Sequence, residues 1–234
     1  MKETERLKKI INSYEINQFI NIGELYEECF AKSMSFSAFM KNIERATQKE
    51  QLERVAKGIY CRPNITRYGK ILPTEQDILK KYIGGNKGIV VGYSMYNELN
   101  ISTQVAKIIE VYSNAIQQYT QTIYNIKIRH CELEFTQEIA NTVKMFELLK
   151  NFSSIQEINY NVFISCCNNF AKTYNDNIAN NVIEKMKYPK STIAFMQHIL
   201  QYHNVTNNLK QYLSEFSVYK YPTMERVYEL AQLN

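Results

Sequence analysis

Much is missing from this 234-residue sequence, and each absence closes off a class of function. No apolar run approaches the roughly 18 residues that a membrane-spanning helix requires. The opening residues, MKETERLKKI, are charged where a secretory signal carries its apolar core. The expected location is therefore cytoplasmic, with no membrane partner. There is no CxxC pair, and the five cysteines (Cys29, Cys61, Cys131, Cys166, Cys167) are odd in number and scattered. That usage fits reduced thiols better than a disulfide framework or a zinc site, and it leaves Asn-x-Ser/Thr triplets such as the one at Asn64 without glycosylation meaning.

Catalytic signatures are missing too. The chain holds no GxSxG, P-loop, GxGxxG or HExxH. A nucleotidyltransferase needs a glycine-rich phosphate-holding turn followed closely by strand carboxylates that bind two magnesium ions. Here Gly84-Gly85 lies far upstream of Glu132 and Glu134, and only two aspartates, Asp77 and Asp176, occur. His130-Cys131 stands apart from His198 and His203, and the adjacent Cys166-Cys167 pair cannot readily face one metal ion. No enzyme is expected, and with it no catalytic residue, no metal and no cofactor.

Positive charge is present, and it is concentrated. Residues 30–70 hold nine Lys/Arg against three acids, an excess of six, whereas the whole chain has a net charge of +5. A basic segment inside foldable sequence is the footprint of a protein that meets phosphate, and a solvated helix face is the plainer alternative. Leu7, Ile10, Ile11 and Tyr14 recur at helical spacing, and Gly23-ELYEECF predicts a second short helix with Leu25 and Cys29 inward. A third helix follows, capped by Ser35 or Ser37, with Phe36, Phe39, Met40 and Ile43 on its buried face and Lys41, Asn42, Arg45 and Lys49 on the remaining surface.

After that helix, LERVAKGIYCRP predicts a basic two-stranded ribbon that bends at Gly58 and stops at Pro63. Three helices and a ribbon describe a winged helix-turn-helix, in which the third helix enters the major groove and the wing follows the phosphates. In that reading Ser35, Ser37, Lys41, Asn42, Arg45 and Lys49 belong to the DNA-facing helix, and Arg54, Lys57 and Arg62 supply wing contacts. The alternative is a winged helix that docks only on protein.

Beyond residue 70 the pattern changes. Pro73 opens a helix that ends at Gly84-Gly85, a strand is predicted at Ile89–Val91, a helix over Tyr93–Leu99, and a strand at Ile108–Tyr112 with IYNIKIRHCELEF as its hairpin partner. Helical periodicity dominates from about residue 136. The fold class expected is α+β: an N-terminal winged helix-turn-helix over 1–70, then a mixed α+β domain over 71–234 with a helical C-terminal tail. Tyr202, Tyr212, Tyr219, Tyr221 and Tyr228 gather there with Phe195 and Phe216, as a partner surface or simply as helical core.

RVAKGIYCRP followed by GYSMYNELNISTQVAKIIEVYS resembles the AbiEi-type antitoxins of bacterial type IV toxin-antitoxin systems, over roughly residues 1–150. Gly92, Tyr93, Leu99, Ser102, Thr103, Gln104 and Val105 match that family's pattern, while Asn100 stands where it favours Gly and Ala106 where it favours Pro. Asn is the next best residue for a left-handed turn. The resemblance implies a DNA-binding transcriptional autorepressor of phage-defence type. Its partners would be operator DNA and a nucleotidyltransferase toxin from the neighbouring gene, with Gly92, Tyr93, Ser102, Thr103 and Gln104 as the antitoxin-domain motif. Local capping and turn formation is the alternative role for Ser102, Thr103 and Gln104. A transcriptional regulator with a ligand-sensing or dimerising C-terminal domain and no toxin is the competing reading of the whole.

Overall fold

The computed structural model describes residues 3–233; Met1, Lys2 and Asn234, which the expected domain ranges include, lie outside the described residues. With 51% helix and 16% strand, the protein is of the α+β class. The chain divides into two compact units: the first runs to Lys80 and takes in Thr122–Tyr124, and the second holds Lys81–Gln121 and the chain from Asn125 on. The boundary expected after residue 70 falls inside a strand of the first unit.

The first unit begins with α1 (Glu3–Ser13), β1 (Phe19–Asn21), α2 (Ile22–Cys29) and α3 (Phe36–Gln48). Short polar residues set the helix starts: Asn21 Oδ1 accepts from the N–H groups of Gly23 at 3.0 Å and Glu24 at 3.4 Å, and Ser35 Oγ accepts from that of Ala38 at 3.3 Å. Leu7, Ile11, Leu25, Phe30, Phe39, Ile43 and Leu52 form one core. The inward face of α3 is Phe39, Ile43 and Ala46. Phe36, expected to be buried, is 50% exposed because the first turn of α3 overhangs that core, and its ring meets the edge of Tyr26 instead, 5.1 Å away.

Strands β2 (Glu53–Ala56) and β3 (Ile59–Cys61) complete an antiparallel sheet of order β1-β3-β2, with Phe19 and Glu53 both opposite Cys61. The β2–β3 register shifts between Arg54 and Ala56, and Val55 is buried there. The chain then forms a hairpin where no further strand is expected: β4 (Asn64–Thr66) pairs with β5 (Gly69–Ile71). Next comes α4 (Glu75–Ile83).

The second unit holds β6 (Gly88–Val91), β7 (Ile109–Ser113), β9 (Ile126–His130) and the start of β8 (Thr120–Ile123), whose last two residues group with the first unit; the sheet order is β6-β7-β9-β8, with α5 (Tyr93–Glu98) after β6. β7 runs antiparallel to β6 but parallel to β9, so IYNIKIRH is not the hairpin partner of β7 that its alternation suggests. A side chain has no room at Gly88, where a Cβ would lie 2.3 Å from the Tyr112 carbonyl oxygen and 2.5 Å from that of Tyr82. The α-helices that follow among the described residues are α6 (Gln137–Asn151), α7 (Tyr160–Thr173), α8 (Asp176–Met186), α9 (Lys190–Tyr202) and α10 (Met224–Leu233). Thr136, Asn159 and Asn175 cap the first three of these. In the tail, Phe195 stacks on Tyr221 at 5.5 Å and Tyr202 packs on Tyr228, whereas Phe216 is 99% exposed. Among the described residues no helix is long and apolar enough to cross a membrane.

Candidate nucleic-acid interface

The face of α3 opposite Phe39 and Ile43 carries Ser37, Lys41, Glu44 and Arg45, all exposed. Hydrophobic spacing on one side of the helix leaves these residues on the other. Ser37, Met40, Lys41, Glu44 and Thr47 meet Arg54 and Tyr60 of the β2–β3 ribbon around a shallow cleft of about 430 Å³. Lys41, Arg45, Lys49 and Lys57 are exposed and make no ion pair among the described residues. Such a surface offers mobile cations to an anion at little desolvation cost.

Not every residue expected to face DNA shares that freedom. Ser35 spends its hydroxyl oxygen on the α3 cap. Asn42 turns toward the flank of the core, with its amide 4.0 Å from Met34 Sδ. Arg62 is taken out of the wing set altogether: its Nη1 donates to the carbonyl oxygens of Asn12 at 2.9 Å and Tyr14 at 2.7 Å, at the end of α1. A guanidinium satisfying helix-end carbonyls is a structural clasp. Glu44, an acid on a face expected to be basic, sits among the cations and works against an anion there.

The residues of the 92–104 motif converge in the second unit. Gly92 adopts φ 68° and ψ −151°, a region open essentially to glycine alone, and a Cβ there would come within 3.4 Å of Glu110 Oε2. Tyr93 Oη donates to the Ser154 carbonyl and accepts from the Gln156 N–H, both at 3.2 Å. Ser102 Oγ, buried, donates to the Gln156 carbonyl at 2.7 Å and accepts from the Gln104 N–H at 3.2 Å, while Thr103 donates to Glu157 Oε2 at 2.6 Å. The bonds from Thr103 and then Gln104 hold the Glu157 carboxyl below its usual pKa. The motif thus staples the stretch after α5 to the loop after α6, and Asn100 sits at φ 57° in the left-handed turn read from the sequence. A cleft of about 520 Å³ opens beside the staple, lined by Gly92, Tyr93, Gln104, Lys107, Glu110 and Gln156 among others.

From the cleft wall a polar chain runs inward, half-buried at Glu110 and Arg129 and buried at Tyr112 and Glu147. Arg129 Nη2 donates to Glu110 Oε1 at 3.1 Å, and Glu147, 3% exposed in the middle of α6, accepts from Tyr112 Oη at 3.2 Å and pairs with Lys150 Nζ at 3.2 Å. Burial first, and the Glu147 charge next, raise the Tyr112 hydroxyl well above its ordinary pKa, so it stays a donor. Elsewhere His130 bonds through Nδ1 to the Ile116 carbonyl, and Glu132 pairs with Lys185 at 2.7 Å on a segment that is not a strand. No group of three or more His, Cys, Asp or Glu among the described residues is placed to hold a metal ion.

Residues 15–142 match a family of unknown function, DUF6088, and the chain belongs to it. The match runs from just after α1 through the four-stranded sheet into α6. It covers α3, the ribbon and the 92–104 motif, but not the 154–157 loop that the motif grips. No curated protein matches the chain.

Proposed function

We propose that the first unit is a winged helix-turn-helix that binds operator DNA through α3, and that the protein is a transcriptional autorepressor. The observation that carries the reading is the outward face of α3, where Ser37, Lys41 and Arg45 stand free of ion pairs beside a basic ribbon. The element order α1-β1-α2-α3-β2-β3, with sheet order β1-β3-β2, supports it. In this reading Lys41 and Arg45 reach base edges, and Lys49, Arg54 and Lys57 neutralise phosphate. The likeness to AbiEi-type antitoxins adds the second role: countering a nucleotidyltransferase toxin encoded next door, with the second unit as the antitoxin domain in the cytoplasm.

Binding of the purified chain to its own upstream region, titrated against salt with random duplex as control, tests the first role. Lys41→Ala with Arg45→Ala should weaken operator binding and reduce discrimination by about 1–3 kcal/mol for each base that is no longer read. No binding at low salt removes the DNA reading. The second role is tested by expressing the neighbouring toxin with this protein supplied from an unrelated promoter, where growth must be restored. The open cleft at Gly92 and Glu110 favours a second reading, a regulator whose second unit senses a small ligand and which has no toxin. Failure of growth rescue beside intact operator binding would select it.

A further inference from the structure

The β2–β3 turn assigned as the wing is short and occupied: it consists of Lys57 and Gly58, and the Gly58 carbonyl accepts from the Ile22 N–H at 2.9 Å. With Arg62 clasped to α1, only part of the expected wing faces outward. The β4–β5 hairpin has the opposite character. All of β5 is exposed, and the tip residues between Thr66 and Gly69 are Arg67 and Tyr68. The tip is a built turn, since Thr66 Oγ1 donates to the Gly69 carbonyl at 2.9 Å and accepts from the Tyr68 N–H at 3.2 Å.

The Arg67 guanidinium lies 4.6 Å from the centroid of the Tyr68 ring, and that ring is 84% exposed. Large rings are enriched at interfaces, where the body packs and the hydroxyl stays wet. The base of the hairpin is tied down by Lys70, whose Nζ lies 3.0 Å from both Glu50 and Glu53, at the junction between α3 and β2. Those are two of the three acids in the basic segment, so the clamp leaves Arg67 at the tip of a locally cationic surface.

We infer that Arg67 and Tyr68 form a second contact with duplex DNA, on the sugar–phosphate backbone beside the site of α3. The inference rests on the DNA-binding reading above and deepens it. Charge complementarity selects the occupant: a guanidinium pairs with phosphate oxygens in a planar fork, and the ring packs on deoxyribose with its hydroxyl toward the next phosphate. Neither contact carries sequence information.

The test uses the full chain, its own upstream duplex and a random duplex of equal length, each titrated against salt. Arg67→Ala should lower affinity about tenfold on both duplexes, the equivalent of one charged hydrogen-bonded contact. It should also reduce the slope of log affinity against log salt by about 1. Tyr68→Ala should lower affinity on both with the slope unchanged, and Arg67→Lys should restore the slope. Unchanged melting curves for these exposed positions separate contact from folding. If the unsubstituted protein binds neither duplex, the DNA reading of the chain fails and the hairpin contact with it. If it binds and the three variants match it in affinity and slope, the hairpin contact alone is overturned and the tip is left for a protein partner. Loss confined to the upstream duplex overturns the backbone assignment, because it would mean base readout.

Discussion

Lys41 and Arg45 stand on an open helix face with no ion pair among the described residues, while Glu147 is buried in the middle of α6 with Tyr112 and Lys150 as its partners. The contrast runs through both units. In the first, the cations of the α3 face stand outside a compact apolar core built on Phe30, Phe39 and Ile43, and the charges its fold does use, Arg62 and Lys70, reach partners at its margin. In the second, charge is threaded inward through Glu110, Arg129 and Glu147, and the fold must satisfy it. Exposed unpaired cations contribute almost nothing to stability and are free for a ligand, whereas a buried carboxylate that loses a partner is costly. Substitutions at Lys41 and Arg45 should therefore report on function, and those at Glu147 on folding.

Urea melts followed by circular dichroism can break that comparison. The largest loss is expected from Gly88→Ala, about 3 kcal/mol or more, because the new Cβ meets two backbone carbonyls that cannot yield without breaking the β6–β7 register. A melt close to that of the unsubstituted chain would mean that the sheet edge is loose. Glu147→Ala should cost about 1–3 kcal/mol by leaving the buried Tyr112 hydroxyl without its acceptor, while the exposed Lys150 turns to solvent. Ser35→Ala should cost about 1 kcal/mol by removing the α3 cap, and a larger effect would give that serine a role beyond capping. Lys41→Ala and Arg45→Ala should each stay within about 0.5 kcal/mol of the starting stability, and a clear destabilisation by either would erase the distinction between the units.

Cys61 sharpens the same contrast at the smallest scale. Burial, and then the nearby Glu53 charge, push its thiol up to about 11, so at pH 8 it should resist alkylation until the first unit opens. Its labelling rate in increasing urea, set beside that of buried Cys167, should report which unit opens first. Rapid labelling of Cys61 in buffer would show that the β3 core position is accessible.

What could be read in advance was local. α1, α2 and α3 announce themselves by spacing, α3 also by its serine cap, and β2 and β3 by extended runs around Gly58. β1 is three residues long and takes its meaning from a strand far along the chain, so nothing near it marks it. The β4–β5 hairpin is missed because both strands lie largely in water and show no alternation of apolar and polar positions. The parallel pairing of β7 with β9 is equally invisible to a local pattern. At the candidate interface, Lys41 and Arg45 follow from helix periodicity. Arg62 does not, because an arginine aimed at backbone carbonyls has no sequence mark to separate it from one aimed at solvent. Glu147 did carry a signal: α6 is apolar on every side of it from Met145 to Leu149, and a lone acid in such surroundings has to find partners.

The Arg62 clasp also bears on the order in which the protein takes shape as it is made. The guanidinium closes onto Asn12 and Tyr14, and the Asn17 N–H donates to the Arg62 carbonyl at 2.8 Å, so the first helix is locked by residues translated long after it. Until β3 has left the ribosome, the opening helices have neither this lock nor the sheet partner that β1 requires. The N-terminal helices should therefore remain protease-sensitive on nascent chains stalled before β3 emerges and become resistant in one step once Arg62 is free.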